Sequence, residues 1–430
     1  MKFKVETEFQ ETEIGKIPKE WRIEKLGRVV RYVKGRKPNN LYDEKLSEKH
    51  LPYLTAEYMR GLDKPKWCNP DLEDNILRVS SDDIVMIWDG SYAGHVFTGF
   101  EGILASTMIK ITPLIDLDKK FLYYYLVFSF EKFRATTVGT GIPHVNKRIF
   151  NEFPIPLPPI REQKRISEIF SLIDEIIKST NESIVRLERL KKALMRELLT
   201  GGIRVNEENG KLVFHREIEF QETEIGKIPK EWKIIRLEEV ASVITGPFGS
   251  QLKKSELVGS GIKVYTQENV LNRNFEIGDL YISGEKFEEL KSFEVKPHDV
   301  LVTIRGTIGR AIMVPQDIKK GIIHTNLAII RLRSDRILPE FVELVFNESE
   351  ILIKQIQRKY LATTMPALYG KTLKQLKIMT LPINEQKGII KVYELINNAI
   401  KLYRKEKERL DRLKRGLMDL LLTGRVRVLE

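Results

Sequence analysis

With 430 residues, of which 42% are hydrophobic, the chain is long enough for about two to three domains with ordinary cores. The formal net charge of +12 favours an anionic partner, most often nucleic acid, although a solvated Lys/Glu-rich surface gives the same balance. The single cysteine, Cys68, excludes an internal disulfide framework and fits a reducing, cytoplasmic compartment, and no apolar run reaches the ~18 residues of a membrane span.

The first 157 residues predict a globular part that mixes strands and helices. Residues 85–88 and 109–111 have the composition of strands, and residues 121–128 predict a helix. A glycine-bearing turn lies at 89–94, and a second loop at 139–148 precedes the next long element. This order predicts an α/β or α+β domain over residues 1–157.

Residues 158–201 predict one long helix with a coiled-coil seam. A proline start signal opens the segment, and Gly201 stands where a helix C-cap is expected. At ~1.5 Å per residue, about 40 residues make a rod of roughly 60 Å, which cannot bury its apolar stripe alone. The stripe follows seven-residue steps through Ile166, Ile173, Leu187 and Leu194.

The chain then repeats itself. Residues 219–232, EFQETEIGKIPKEW, are identical to residues 8–21 at an offset of 211, and from residue 366 onward the two copies match at an offset of 223. Residues 202–380 therefore predict a linker and a second globular part. Within it, the patterns predict strands at 300–304 and 327–332, a helix at 339–346 and a loop at 363–371. Residues 381–425 predict a second long helix.

We therefore expect two similar globular domains separated by two long antiparallel helices, which form an intramolecular coiled coil with a pseudo-two-fold repeat. This packing would place the domains at opposite ends of the rod, so that rod length fixes the distance between two half-sites on DNA. Lys407 and Lys414 interrupt the second seam, either as local exposure or as a face turned to another subunit.

The middles of the two copies, about 36–140 and 247–362, share little, so one scaffold presents two different surfaces. Side chains that hydrogen-bond base edges, together with Lys and Arg for phosphates, are what sequence-specific DNA binding needs. Both middles and the loops that follow them are rich in such groups. The candidate DNA-binding residues are Arg60, Lys64, Ser91, Tyr92, His95, His144, Asn146, Lys147, Arg148, Gln267, Asn269, Asn272, Arg273, Arg305, Thr307, Arg310, Tyr369 and Lys371.

A search for catalytic patterns finds none. The segment around Gly370 and Lys371 has Met365 where a nucleotide-binding loop needs its first glycine. One cysteine and six scattered histidines give no metal-ligand spacing, and no glycine-rich cofactor loop follows a strand. We expect a binding protein without catalytic, cofactor or metal residues.

Three repeated motifs in a fixed order make the sequence resemble the specificity subunit of type I restriction–modification enzymes. They are the Ile-Gly-x-Ile-Pro-x-x-Trp start (14–21 and 225–232), the Pro-x-x-x-Gln entry into a long helix (159–163 and 382–386) and the Leu-Leu-Thr-Gly exit. Each motif alone is weak, whereas their duplicated order is specific and spans the whole chain.

The resemblance implies two target recognition domains, each reading one half of a split double-stranded DNA sequence, and helices that set the unread gap. It implies docking of two modification subunits, which carry S-adenosylmethionine, and two restriction subunits, which use ATP and Mg. The chain itself is expected to be non-catalytic and to hold no cofactor. Two alternatives stay open at this point: a coiled-coil adaptor that binds only protein, and a self-contained DNA-modifying enzyme.

Overall fold

The computed structural model describes residues 2–139, 141–361 and 368–429, the side chains of Tyr360 and Leu361 excepted. Residues 363–367 of the predicted loop at 363–371 lie outside the described residues. The chain forms two compact units, one running to Asn181 and resuming at Arg404, the other comprising Glu182–Tyr403. Each unit therefore holds one of the predicted globular parts and half of each predicted long helix.

The first globular part contains short strands and helices, as its sequence predicts. Its strands are β1 (Lys2–Val5), β2 (Phe9–Thr12), β3 (Gly15–Pro18), β4 (Arg22–Lys25), β5 (Val30–Lys34), β6 (Leu51–Leu54), β7 (Lys66–Cys68), β8 (Arg78–Val79), β9 (Ile84–Ile87), β10 (Val96–Phe97), β11 (Gly102–Leu104), β12 (Met108–Pro113) and β13 (Pro154–Leu157). Its helices are α1 (Leu26–Val29), α2 (Ala56–Met59), α3 (Lys119–Phe128), α4 (Phe130–Ala135) and α5 (Lys147–Glu152).

The first long helix is α6 (Ile160–Thr200), with 41 residues, and Gly201 follows it at φ +76°. The second globular part repeats the mixed pattern. Its strands are β14 (Ile203–Glu208), β15 (Lys211–Arg216), β16 (Phe220–Thr223), β17 (Gly226–Pro229), β18 (Lys233–Arg236), β19 (Ala241–Thr245), β20 (Leu257–Val258), β21 (Ile262–Tyr265), β22 (Tyr281–Ile282), β23 (Val300–Thr303), β24 (Ala311–Met313), β25 (Gly321–Ile323), β26 (Leu327–Leu332) and β27 (Lys377–Thr380). Its helices are α7 (Leu237–Val240), α8 (Gln267–Leu271), α9 (Gly284–Glu289), α10 (Pro339–Glu348), α11 (Glu350–Leu361) and α12 (Gly370–Lys374).

The second long helix is α13 (Ile383–Leu422), with 40 residues, and the last strand is β28 (Val426–Leu429). Both long helices thus agree with the lengths that the seven-residue pattern predicts. Among the described residues, no helix is long and apolar enough to cross a membrane.

Each unit contains two four-stranded sheets of corresponding topology. In the first unit one sheet has the order β5-β12-β9-β10, and in the second unit β19-β26-β23-β24 matches it strand for strand. The other sheet is built on a parallel pair in both units, β6 with β11 and β21 with β25. The internal repeat is therefore confirmed as a repeat of topology, with strands β8 and β20 as the local differences.

A glycine in each unit permits the two sheets to approach closely. A Cβ on Gly35 would lie 2.3 Å from the backbone oxygens of Leu104 and Ala105, and a Cβ on Gly246 would lie 2.3 Å from the oxygen of His324. No side chain fits at such distances. This explains why both copies carry glycine at this point of the repeat.

Inside each unit, half of α6 packs antiparallel against half of α13. In the first unit Ile166 and Phe170 share a core with Leu421, and in the second unit Leu198 shares a core with Ile389. The two helix halves run in opposite directions. Glu162, near the start of α6, contacts Arg427, which follows α13, whereas Asp174, further along α6, contacts the earlier residue Lys414. The predicted helix pairing is confirmed.

Lys414 has a role that neither sequence interpretation anticipated. Its ammonium is 2.5 Å from a carboxylate oxygen of Asp174 on the facing helix half, and its side chain is only 19% exposed. Lys414 is therefore an internal partner in the helix seam of the first unit. Lys407 is more exposed and lies 3.9 Å from Asp411 on its own helix.

The repeated motifs meet at one place in each unit. The Trp21 indole N–H donates to Glu162 of the helix entry (3.2 Å), and a Cβ on Gly424 of the helix exit would lie 3.1 Å from the Trp21 ring. Trp232 makes the same two contacts with Glu385 and Gly201 in the other unit. The three motifs thus form one structural joint that fastens the helix pair to each globular part.

Candidate nucleic-acid interface

In the first unit, four loops converge at one edge of the parallel strands β6 and β11. Because parallel strands end at the same edge, the loops that follow them are neighbours. The backbone N–H of Trp88 donates to Thr107 (2.8 Å), and the N–H of Val145 donates to Trp88 (2.9 Å). These bonds bind the turn after β9 and the loop before α5 to the same edge.

A cleft of about 750 Å³ opens among these loops. Four of the candidate residues contribute to its wall: Arg60, Ser91, Tyr92 and His144. The rest of the wall combines apolar groups with polar side chains that the sequence did not single out, including Thr55, Glu57, Asp89, Ser106 and Thr107. The structure therefore brings together side chains from positions far apart in the chain.

Arg60 and Tyr92 form a cation–aromatic pair in this cleft. The guanidinium carbon of Arg60 lies 3.3 Å from the centroid of the Tyr92 ring. His95 lies nearby, stacked on Phe97 at 4.6 Å, and burial together with the charge of Arg60 lowers the pKa of His95. Both effects favour the neutral form of the His95 imidazole over its charged form.

The other candidates of the first unit lie on the flanks of the cleft. Lys147 and Arg148 are exposed in the first turn of α5, and Lys64 is exposed in the loop after α2. Asn146 caps α5, since its side-chain oxygen accepts the N–H groups of Arg148 and Ile149 (3.0 and 3.3 Å). Asn146 thus fixes the start of α5, where both cations lie, and its amide nitrogen has no partner among the described residues.

The second unit builds the equivalent edge from β21 and β25. The Gln267 side chain, at the start of α8, spans the turn after β23. With the amide oriented so that both of its ends find partners, its nitrogen donates to the carbonyl of Arg305 (2.8 Å) and its oxygen accepts from the N–H of Thr307 (3.1 Å). Arg305 donates to the Thr325 hydroxyl (3.3 Å) in the loop after β25. Three candidates are therefore in direct contact at this edge.

Asn269 and Arg273 have structural partners instead. Asn269 is 1% exposed, and its side chain bonds the backbone of Thr266, Asn274 and Ile277. Arg273 forms an ion pair with Glu343 of α10. Because these bonds hold the loop after α8, we leave both residues out of the proposed interface.

Asn272, Thr307, Arg310, Tyr369 and Lys371 are exposed. Tyr369 and Lys371 follow directly after Leu368, whose N–H donates to the carbonyl of Ile304 (2.8 Å) at the end of β23. Tyr369 therefore ends the loop that corresponds to the one before α5, and Lys371 lies in the first turn of α12. The side chain of Asn272 donates to the carbonyl of Glu268 (3.1 Å) and stays at the surface.

The residues that the sequence did not reveal share one position. Thr55, Ser106, Thr107, His324 and Thr325 directly follow the parallel strands or lie one turn beyond them. Parallel strands end at the same edge of a sheet, so knowledge that β6 pairs with β11 and β21 with β25 would have identified these residues. Among the described residues, no group of His, Cys, Asp and Glu is arranged to hold a metal ion.

Comparison with known proteins agrees with this architecture. A model of the family described as type I restriction modification DNA specificity domain matches residues 18–189 and again residues 229–412. The chain is 32% identical over 434 residues to the type I restriction enzyme MjaVIII specificity subunit of Methanocaldococcus jannaschii, covering 100% of this chain and 98% of that relative.

It is also 25% identical over 328 residues to the type I restriction enzyme EcoBI specificity subunit of Escherichia coli, covering 74% of this chain and 67% of that one. The crystal structure of the type I restriction–modification S subunit from M. genitalium shares the fold, with a TM-score of 0.57 at 17% identity over 93% of this chain and 96% of that one. The chain therefore belongs to the family of type I restriction–modification specificity subunits and carries two DNA specificity domains.

Proposed function

We propose that this chain is the non-catalytic subunit that gives a type I restriction–modification complex its DNA sequence specificity. Each globular domain reads one half of a bipartite double-stranded target through its loop edge, and the helix pair sets the unread gap. The observation that carries the proposal is the duplicated specificity domain, in which equivalent loop edges carry different side chains. The alternatives of a protein-only adaptor and of a self-contained enzyme gain no support from the site.

The electrostatics of the two edges suit this role. Several cations of the two edges form no ion pair with a carboxylate among the described residues: Arg60 and Lys147 in the first unit, and Arg305 and Arg310 in the second. Arg148 is exposed and has only the more distant carboxylate of Glu152 on its own helix. The chain as a whole carries a formal charge of +12. Unpaired cations beside polar groups can bind phosphates and base edges at once, which is the division of labour in sequence-specific DNA binding.

The partners follow from the same proposal. Two modification subunits dock on the helix pair and supply S-adenosylmethionine and the methyl transfer, and two restriction subunits supply ATP- and Mg-dependent cleavage. The chain contributes recognition and holds no cofactor of its own. We expect the complex to work in the cytoplasm, where its DNA target is found.

Binding to duplex DNA as a function of salt tests the proposal. Because cations that neutralise phosphates release counterions, the affinity of the assembled complex should fall log-linearly, by about 10³–10⁵-fold between 50 and 200 mM salt for six to ten phosphate contacts. The double variant Lys147→Ala, Arg148→Ala should flatten this slope. Lys230→Ala, an exposed lysine paired with Glu219 outside the loop edge, is the control and should leave it unchanged.

Two outcomes would contradict the proposal. Salt-independent binding, or no duplex binding by the complex, would favour the adaptor. Methyl transfer or cleavage by the purified chain alone would favour the self-contained enzyme. Mapping methylated adenines in DNA modified by the complex identifies both half-sites and the gap.

A further inference from the structure

Arg305 is fixed at the end of a buried interior strand of the second unit. Strand β23 lies between β26 and β24, and all four of its residues are buried. The N–H of Ile304 donates to Asn326 (2.9 Å), and the N–H of Gly309 donates to Thr303 (2.8 Å), which closes the turn on itself. Gln267 bonds the backbone on both sides of Gly306, so the backbone that carries the Arg305 side chain is held in place.

The guanidinium of Arg305 differs from those of the arginines that serve the fold in this unit. Arg204 bonds three glutamates, Arg331 bonds Asp299, and Arg273 bonds Glu343. Arg305 is exposed, and within the described residues its only side-chain bond is to the neutral hydroxyl of Thr325. Burial lowers the pKa of His324, and the positive charge of the nearby Arg305 lowers it further. The Thr325 hydroxyl thus orients the Arg305 guanidinium, which has no anionic partner among the described residues.

An oriented guanidinium fork matches two acceptors on one base edge. In the major groove, guanine presents O6 and N7 side by side, and a bidentate arginine is the commonest contact that selects it. A lysine in the same place would offer a point charge without this geometry. We infer that Arg305 reads a guanine in the half-site of the second domain, with Gln267 as the residue that positions its turn; the inference rests on the proposed function.

The corresponding position in the first unit has the opposite charge. There the strand β9 leads to Asp89, whose carboxylate is 2.7 Å from Lys34. Arg60, which forms no ion pair among the described residues, comes from a neighbouring loop and stacks on Tyr92. A carboxylate accepts hydrogen bonds and cannot select guanine O6 and N7. The two domains therefore present different patterns at the same place in the fold, and the guanine assignment applies to the second half-site alone.

The experiment maps methylated adenines in DNA modified by the complex assembled with its modification subunits, for the native chain and for variants. With Arg305→Ala, the guanine preference at one position of the second half-site should fall by about 10- to 100-fold, while the first half-site and the gap stay the same. Arg305→Lys, which keeps the charge and loses the fork, should relax the same position. Gln267→Ala should weaken the preference at that position and at no other.

Arg310→Ala is the matched control, since Arg310 is an exposed arginine at the other end of the same turn. It should reduce affinity for all sequences alike and leave the motif unchanged. An unchanged motif with Arg305→Ala, or a uniform loss of affinity like that of a phosphate contact, would overturn the inference. Retained reading of the other positions of the second half-site shows that the second domain of the variant is folded. A native complex that methylates without sequence preference would instead refute the proposed function itself.

Discussion

At the scale of single residues, two buried arginines determine how each domain is fastened to the helices. Arg427 bonds Glu162 and Glu6 at 2.8–2.9 Å, and Arg204 bonds Glu385 and Glu217 in the same arrangement of the other unit. The side chains of Arg427, Glu162 and Glu6 are each at most 5% exposed. A charge in such a place is tolerated only because its hydrogen-bonding groups are paired.

Removing one partner should therefore be costly. Arg427→Ala leaves two buried carboxylates without a counter-charge, and we expect the free energy of unfolding of the first unit to fall by about 3–5 kcal/mol. Denaturant unfolding, followed by tryptophan fluorescence, measures it. Arg425→Ala, which removes an exposed pair with Asp419, should cost less than about 1 kcal/mol. Equal losses in the two variants would show that the cluster is dispensable.

The same cluster predicts a dependence of stability on pH. The backbone N–H of Glu8, then that of Thr7, and the side chain of Arg427 lower the pKa of Glu6 from 4.5 to about 2, against the opposing effect of burial. Because the folded pKa lies below the unfolded one, the contribution of Glu6 is complete above pH ~4.5 and is lost as the pH falls towards 2.

Glu6→Gln should therefore narrow the difference in melting temperature between pH 5 and pH 3. Thermal unfolding at a series of pH values, with native protein and variant side by side, measures this. Glu11→Gln, at a carboxylate that is 76% exposed and paired with Lys16, is the control. A native-like pH profile for Glu6→Gln would refute the linkage.

At the scale of elements, each helix seam contains a polar side chain that also contacts its globular domain. In the first unit Asp174 accepts from Lys414 (2.5 Å) and from the Tyr124 hydroxyl (2.9 Å) of α3. In the second unit Lys191 donates to Glu348 (3.1 Å) of α10 and to Asn397 (3.4 Å). A polar group in an apolar seam favours one register over its neighbours, since a slip of the helices leaves it unpaired.

The pair should show energetic coupling. We expect Lys414→Leu and Asp174→Leu each to destabilise the first unit, because each leaves a partly buried charge unpaired. The double variant should be more stable than the sum of the single effects predicts, by more than ~0.5 kcal/mol. A double-mutant cycle from denaturant unfolding provides the value, and strictly additive effects would argue against a paired role.

At the scale of the whole molecule, one topology is used twice with different loop edges. The equivalent sheets and helix joints differ little, whereas the strand ends carry Asp89 in one unit and Arg305 in the other. Specificity can therefore change in one half without affecting the scaffold, provided that the exchanged segment folds with its host.

The structure indicates where to cut for a domain exchange. A graft of residues 36–140 separates β5 from its partner β12 within one sheet, whereas a graft of residues 22–157 keeps that sheet and the antiparallel pair β4–β13 whole. We expect the longer graft from another specificity subunit to change only the first half-site, as shown by mapping methylated adenines. A change in both half-sites would contradict the modular arrangement.

Local sequence was sufficient for much of the fold. The strands at β9, β12, β23 and β26, the two long helices and the glycines after them all agree with their patterns, because periodicity and turn chemistry act over a few residues. The duplication predicted the architecture, because two copies of the same sequence pattern are expected to adopt the same fold.

The sequence alone therefore determined the repeated scaffold and its family, and it predicted the loops that carry the candidate recognition residues. The tertiary structure decided which of those residues are available. Arg273 and Arg305 look alike in sequence, but Glu343, 70 positions away, pairs with the first, whereas the second is left without an acidic partner among the described residues. Pairing and burial depend on contacts between distant segments, and those contacts exist only once the chain has folded.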